Sequence, residues 1–108
     1  MDANIIVQKQ ENLIELSIIQ DIHEIRGIRV MLDFDLAKRY GVETKNLNLS
    51  VKRNFRRFPP DFMFQLTENE WKSISSQIVM TSRIKRPKSS LPYAFTQEGV
   101  AMLSGLLT

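Results

Sequence analysis

The sequence predicts a small α+β domain, and three observations predict it. The stretch 22–32 places apolar residues on both sides of an Arg-Gly pair, as a β-hairpin does. Four later segments each start with a residue type that caps helices and continue with apolar residues at helical spacing. Short aromatic-rich runs at 62–66 and 91–95 favour strands. We therefore expect a single domain with a β-hairpin, a helix–turn–helix-like pair of short helices, further short strands and two more helices.

The hairpin is the first predicted element. Ile28, Val30 and Leu32 occupy every second position, which is the period of a half-buried strand. Gly27 supplies the positive φ that a tight turn requires. The single histidine, His23, lies on the first strand, where we expect a surface or packing role and no catalysis.

Two short helices are predicted next, joined by a glycine turn. Asp33 is expected to cap the first helix, and Gly41 is expected to end it with a positive φ. Thr44 is expected to cap the second helix, which runs to about Phe55. Four apolar residues at helical spacing are expected to face the core: Leu47, Val51, Phe55 and Phe58.

This pair carries a helix–turn–helix signature. Ala37 is the small residue where the helices cross, Gly41 lies in the turn, and Leu47 points inward from the second helix. The signature departs at Ser50, where an apolar residue is expected, and Val51 takes that role instead. In such a unit the second helix enters a major groove. A plain αα-hairpin without a DNA-binding role stays open from this pattern alone.

The remaining elements are two further helices and a basic loop. Thr67 fits a capping box that opens the third helix, with Trp71, Ile74 and Ile78 toward the core. Thr96 is expected to cap the last helix, and Pro92 suits either the first position of the strand before that helix or a strand at the edge of the sheet. The stretch 80–90 has no useful periodicity and is expected to be an exposed basic loop.

Composition excludes several classes of function. The chain has no cysteine and one histidine, which excludes disulfides, thiolate zinc, a cysteine nucleophile and a His-rich metal site. It has no Gly-rich phosphate loop and no nucleophile elbow, and helix capping explains its two carboxylate pairs, Asp33/Asp35 and Glu68/Glu70. No apolar run reaches the roughly 20 residues of a spanning helix, and the start lacks the features of a Sec signal. We expect a cytoplasmic non-enzyme with no cofactor, no metal, no small-molecule substrate and no membrane contact.

The charge is unevenly placed along the chain. Residues 36–58 carry seven bases against one acid, a net charge of +6, and residues 71–97 carry five bases and no acid, a net charge of +5. Acidic segments flank and separate them, with a net charge of −4 over residues 1–35. Two basic segments of this kind are typical of a surface that binds a polyanion, although a solvated helix face or a solubilising loop would carry the same charges.

The residue types in these segments suit DNA. Arginine can bind guanine through two hydrogen bonds, asparagine can do the same for adenine, and lysine neutralises phosphate. We expect the rigid second helix to read base edges and the loop 83–88 to hold phosphates without sequence preference. The candidate DNA-binding residues are Lys45, Asn48, Lys52, Arg53, Asn54, Arg56, Arg57, Arg83, Lys85, Arg86 and Lys88.

Several ordered stretches resemble a known family. They include Ile25-Arg26-Gly27, Val30-Met31-Leu32-Asp33, Tyr40-Gly41-Val42-Glu43-Thr44, Asp61-Phe62-Met63-Phe64-Gln65-Leu66-Thr67 and Leu91-Pro92-Tyr93-Ala94-Phe95-Thr96. The chain is similar to the phage antirepressor-type N-terminal DNA-binding domain named "ORF six N-terminal", a relative of the KilA-N and Bro-N domains. One departure is Phe55-Arg56, where the family often has glutamine or acidic residues.

The resemblance implies a non-catalytic module of phage or prophage regulators that binds double-stranded DNA and acts in transcription regulation. The matching polar positions are Asn48, Lys52, Arg53, Asn54 and Arg57. We expect residues 1–19 to be an N-terminal arm or helix outside the match, and residues 20–108 to be the DNA-binding domain of a longer protein. A homodimer stays open. The alternative function is a protein-interaction module whose basic surface binds a repressor or a host protein.

Overall fold

The computed structural model describes residues 20–76 and 91–107 and confirms the predicted α+β class. Over these two ranges the chain forms four strands, four α-helices and one 3₁₀ turn. In chain order they are β1 (Ile22–Ile25), β2 (Ile28–Leu32), α1 (Asp33–Tyr40), α2 (Thr44–Arg53), the 3₁₀ turn (Phe55–Arg57), β3 (Met63–Gln65), α3 (Glu68–Ser75), β4 (Tyr93–Phe95) and α4 (Gln97–Leu107).

The four strands form one antiparallel sheet in the order β1-β2-β4-β3. Strand β4 therefore lies between β2 and β3, and Ala94 pairs with Leu32 on one side and with Phe64 on the other. Pro92 directly precedes this central strand, as predicted, and its carbonyl accepts a hydrogen bond from the Leu66 N–H at 2.9 Å.

Helices pack on both faces of the sheet, and the described core has two parts. On one face α1, α2 and α4 cover Phe95 together with Met31 and Met63. On the other face α3 covers Ala94 and the alternate residues of β2. Trp71 packs edge-on against Phe34, with ring centroids 5.9 Å apart.

The hairpin turn lies at Arg26 and Gly27, as predicted, and both residues are left-handed, with φ of 57° and 72°. The positive φ of Arg26 was not predicted, because that conformation is strained for a residue with a Cβ. Its side chain donates two hydrogen bonds to Glu70, at 2.9 and 3.0 Å, and lies 4.2 Å from the centroid of the Phe64 ring. These contacts join the tip of the hairpin to α3 and β3 and offset the strain.

Arg26 also determines how the Glu70 carboxylate responds to pH. Its hydrogen bonds are the main cause that lowers the pKa of Glu70 to about 2. Because this folded-state pKa lies below the ordinary value, the ion pair stabilises the fold above about pH 4.5 and loses its effect as the pH falls toward 2. We expect Glu70→Gln to lower the free energy of unfolding modestly at pH 7, since the pair is partly exposed.

Urea denaturation of Glu70→Gln and of the unmodified chain at several pH values checks this. The difference in unfolding free energy should shrink steadily below pH 4.5, and Arg26→Lys should show the same pH dependence. A difference that stays constant between pH 7 and pH 3 would show that the ion pair contributes nothing.

The two short helices meet as the signature predicts. Gly41 has φ of 68°, and a Schellman motif ends α1. In it Gly41 N–H bonds to the Lys38 carbonyl at 3.3 Å and Val42 N–H bonds to the Ala37 carbonyl at 3.0 Å. Ala37 is buried between the helices, and Leu47 is fully buried with it.

Two predicted caps of this pair are wrong. Helix α1 begins at Asp33 itself, and α2 begins at Thr44 itself, so both residues already belong to the helix. The residues at the cap positions are Leu32 and Glu43, and neither side chain makes a capping hydrogen bond. The Asp33 carboxylate is instead buried and bonds to other elements.

The predicted apolar stripe of α2 is wrong at its end. Val51 is buried and replaces Ser50 as expected, but α2 ends at Arg53 and Asn54 leaves the helical region with φ of −125°. Phe55 therefore turns away from the stripe and is 67% exposed. Phe58 is buried as predicted and packs edge-on against Phe95, with ring centroids 6.0 Å apart.

The other two predicted caps are confirmed. Thr67 and Glu70 form a reciprocal capping box at the start of α3. At the start of α4 the Thr96 hydroxyl accepts a hydrogen bond from Gly99 N–H at 3.3 Å and donates to the Asp61 carbonyl at 2.8 Å. The predictions for Ile78, for residues 1–19 and for the loop 80–90 lie outside the described residues.

Candidate nucleic-acid interface

Helix α2 presents one face to solvent, opposite the side that carries buried Leu47 and Val51. Because residues three and four apart share a side of a helix, these exposed positions form one continuous strip. We call this strip the outer face of α2, and it comprises Lys45, Asn46, Leu49, Lys52 and Arg53.

The 3₁₀ turn continues this basic surface beyond the helix. Arg57 N–H donates to the Asn54 carbonyl at 2.9 Å, and Phe58 N–H donates to the Phe55 carbonyl at 3.0 Å, which fixes the backbone of the turn. Phe55, Arg56 and Arg57 are all exposed. Residues 53–57 line a shallow surface depression, which we call the arginine turn.

Within the described residues, the bases of this surface have no acidic partners. The ion pairs within residues 20–76 and 91–107 are Arg26–Glu70, Arg39–Asp21 and a 4.0 Å contact between His23 and Asp35. The sequence from 44 to 60 contains no acid. Five exposed cationic side chains therefore produce a positive electrostatic potential at this surface: Lys45, Lys52, Arg53, Arg56 and Arg57. Such a positive field attracts a polyanion.

Asn48 was predicted to read base edges, but its amide group is held inside the domain. Its Nδ2 donates to Oδ2 of Asp33 at 3.0 Å, and its Oδ1 is buried without a hydrogen-bond partner among the described residues. Asp33 is fully buried and also accepts hydrogen bonds from the N–H of Phe34, at 2.7 Å, and of Tyr93, at 3.3 Å. Asn48 thus ties α2 to α1 and β4, so its amide does not face an external ligand.

Asn54 is also held by its own helix. Its Nδ2 donates to the Ser50 carbonyl at 2.8 Å, and its N–H donates to the Val51 carbonyl at 3.0 Å. These bonds end α2 and direct the chain into the arginine turn. Of the predicted side chains, the five bases named above are exposed as expected. The other four candidates, Arg83, Lys85, Arg86 and Lys88, lie outside the described residues.

Sequence reasoning missed two residues of the outer face. Asn46 is exposed, so it is the asparagine that α2 presents to solvent, a role that was predicted for Asn48. Leu49 is 39% exposed between Lys45 and Arg53, four residues from each. The signal was available, since the spacing that buries Leu47 and Val51 leaves both 46 and 49 on the other side.

A second group of titratable residues lies on β1 and α1. Burial, reinforced by the charge of Asp21, raises the pKa of Asp35 to about 6. Burial lowers the pKa of His23, whose Nε2 lies 4.0 Å from an Asp35 oxygen. The described residues contain no cluster of three or more groups suited to a metal ion.

Comparison with known proteins gives one match. The family model described as the ORF6N domain matches residues 20–106, which is most of the chain and includes every described residue except Leu107 at the end of α4. No curated protein and no solved structure matches. None of the helices in the described stretches is sufficiently long and apolar to span a bilayer.

Proposed function

The chain belongs to the ORF6N domain family of phage-type regulatory domains, and from this premise we propose that it is a non-catalytic domain that binds double-stranded DNA in an antirepressor-like regulator. One observation supports the proposal above others. The five exposed bases of α2 and the arginine turn have no carboxylate partner among the described residues. Phosphates that bind such cations release counterions, which drives association with DNA.

The outer face of α2 supplies the groups that read base edges. As the second helix of a helix–turn–helix-like pair, α2 is the element that enters a major groove. Arg53 would bind O6 and N7 of guanine, and Asn46 would bind N6 and N7 of adenine. Leu49 would contact a thymine methyl group. Lys45, together with the arginine turn, would hold the phosphates on either side.

The full chain should bind a duplex of about 25 base pairs with a Kd of roughly 10⁻⁴–10⁻⁶ M at physiological salt, without strong sequence preference. Fluorescence anisotropy across a series of salt concentrations measures this. Log K should fall linearly with log salt, and Arg57→Ala should reduce the slope by about one unit.

Lys72→Ala is the matched control for Arg57→Ala. Lys72 is also an exposed base, but it lies on α3, which packs on the opposite face of the sheet. This variant should leave both affinity and salt slope unchanged. Undetectable binding at about 50 mM salt, or an equal effect of Lys72→Ala, would contradict the proposal. Binding to an acidic protein partner without binding to duplex would support the interaction-module alternative instead.

Sequence discrimination should depend on a different set of side chains. After selection of a preferred site from random duplexes, Arg53→Ala should reduce the preference for that site over random DNA by about 1–3 kcal/mol. Asn46→Ala should also reduce it, whereas Asn48→Ala should act on stability because its amide is internal. Preserved discrimination in the Arg53→Ala variant would show that α2 does not read the bases.

A further inference from the structure

Phe55 is the most exposed large apolar residue in the described part of the chain, at 67%, compared with 43% for Ile28. It lies at the start of the 3₁₀ turn, directly after Asn54. A single exposed apolar side chain is ordinary on a protein surface. What distinguishes Phe55 is its rigid support and its cationic surroundings.

The support comes from both ends of the turn. Before Phe55, the Asn54 side chain bonds to the Ser50 carbonyl, and Val51 is buried in the core. After Phe55, its carbonyl accepts the Phe58 N–H at 3.0 Å, and the Phe58 ring is buried against Phe95. The backbone that carries Phe55 is therefore fixed, so the exposed ring is presented by a well-supported turn.

The charged residues around Phe55 are all cationic. Arg53, Arg56 and Arg57 line the same depression as Phe55. A partner that fits this surface must carry negative charge on both sides of an apolar, planar group. A nucleobase between two backbone phosphates has this arrangement. Proteins that insert an apolar side chain such as phenylalanine between base pairs also use arginine or lysine to contact the DNA groove.

We propose that Phe55 inserts between two adjacent base pairs of duplex DNA while the flanking arginines hold the neighbouring phosphates. This inference rests on the proposed function and adds a specificity-determining residue to it. Insertion separates stacked bases and bends the duplex. Pyrimidine–purine steps such as TA unstack most easily, so Phe55 gives the domain a preference for sites with such a step beside the bases read by α2.

The test uses the full chain and a duplex with 2-aminopurine at a central TA step and a fluorophore pair at its ends. Binding should raise the 2-aminopurine fluorescence, because the base loses its stacking, and should raise energy transfer, because the duplex bends. Phe55→Ala should abolish both signals and weaken binding roughly tenfold. Its salt slope should stay the same, since the phosphate contacts remain. Phe55→Leu, which keeps an apolar side chain of similar length, should retain part of both signals.

Ile28→Ala is the matched control, because Ile28 is exposed and apolar but lies on the hairpin. It should leave both signals unchanged. Binding without unstacking or bending, or full signals from Phe55→Ala, would overturn the insertion and leave DNA binding intact. Absence of any binding at low salt would overturn the proposed function itself. A dimer that Phe55→Ala converts to monomer, with unchanged DNA signals, would show that the ring contacts a second copy and would overturn the insertion as well.

Discussion

Replacing Gly99 with alanine should destabilise the domain by about 3 kcal/mol, because α4 passes directly over the backbone of Phe62. A Cβ at position 99 would overlap the Phe62 carbonyl oxygen and lie 2.9 Å from its carbonyl carbon. That carbonyl cannot move freely, since it accepts the Thr96 N–H at 2.9 Å. The Phe62 N–H is also bonded, to the Pro59 carbonyl at 2.8 Å. The added methyl group would therefore displace α4 from the sheet.

Gly105→Ala is the control on the same helix. Apart from its chain neighbours and the nearby backbone of α4, no atom of the described residues lies within 4 Å of a Cβ at Gly105. This position is exposed, so alanine should stabilise the helix by about 0.5–1 kcal/mol. Urea unfolding of the two variants should thus give effects of opposite sign. If the free energy of unfolding of Gly99→Ala lies within about 0.5 kcal/mol of that of the unmodified chain, the close approach of α4 to Phe62 does not limit the size of residue 99.

Asp33→Ala should also cost about 3 kcal/mol, for an electrostatic reason. The buried carboxylate accepts hydrogen bonds from the Asn48 amide and from the N–H groups of Phe34 and Tyr93. Its removal leaves buried donors without this acceptor, and each such donor costs about 1–3 kcal/mol. Because Asn48 belongs to α2, the variant should also weaken the proposed DNA binding by loosening the helix that carries the outer face.

A double-mutant cycle isolates this contact. The free energies of unfolding of Asp33→Ala, Asn48→Ala and the double variant should give a coupling of about 1.5–3 kcal/mol, as expected for a hydrogen bond to a charged group. Asp35→Asn is the control on the same helix. Because burial raises the pKa of Asp35, its ionised form opposes folding at pH 7, and this variant should be at least as stable as the unmodified chain. A coupling near zero would mean that Asn48 does not depend on Asp33.

Sequence patterns predicted most of the local structure. The hairpin turn, the glycine at the end of α1 and the caps at Thr67 and Thr96 are specified by residues within a few positions of each other, so the sequence alone reveals them. The position of β4 between β2 and β3 could not be read in this way. It depends on pairing across 62 positions, from Leu32 to Ala94. The sequence of a short strand does not indicate which other strands it will pair with.

The same distinction holds for the candidate interface. Periodicity correctly predicted which bases of α2 are exposed, because Leu47 and Val51 determine the buried side. It failed at Phe55, since the helix ended two residues earlier than its apolar spacing implied. It also failed at Asn48, whose partner Asp33 is on another helix. A side chain at the border of the buried stripe can face either way, and tertiary contacts decide.

The central place of β4 has a consequence for biosynthesis. Strand β4 is synthesised after the other three strands, and until it emerges the edges of β2 and β3 that will pair with it have no partner. A nascent chain at that stage can form the β1–β2 hairpin and short helices, but its apolar strands remain open to other chains. Folding must then wait for a contact of long sequence separation, which is slow. Fragments that end before Leu91 should accordingly aggregate, and the smallest unit that folds alone must extend from β1 through α4.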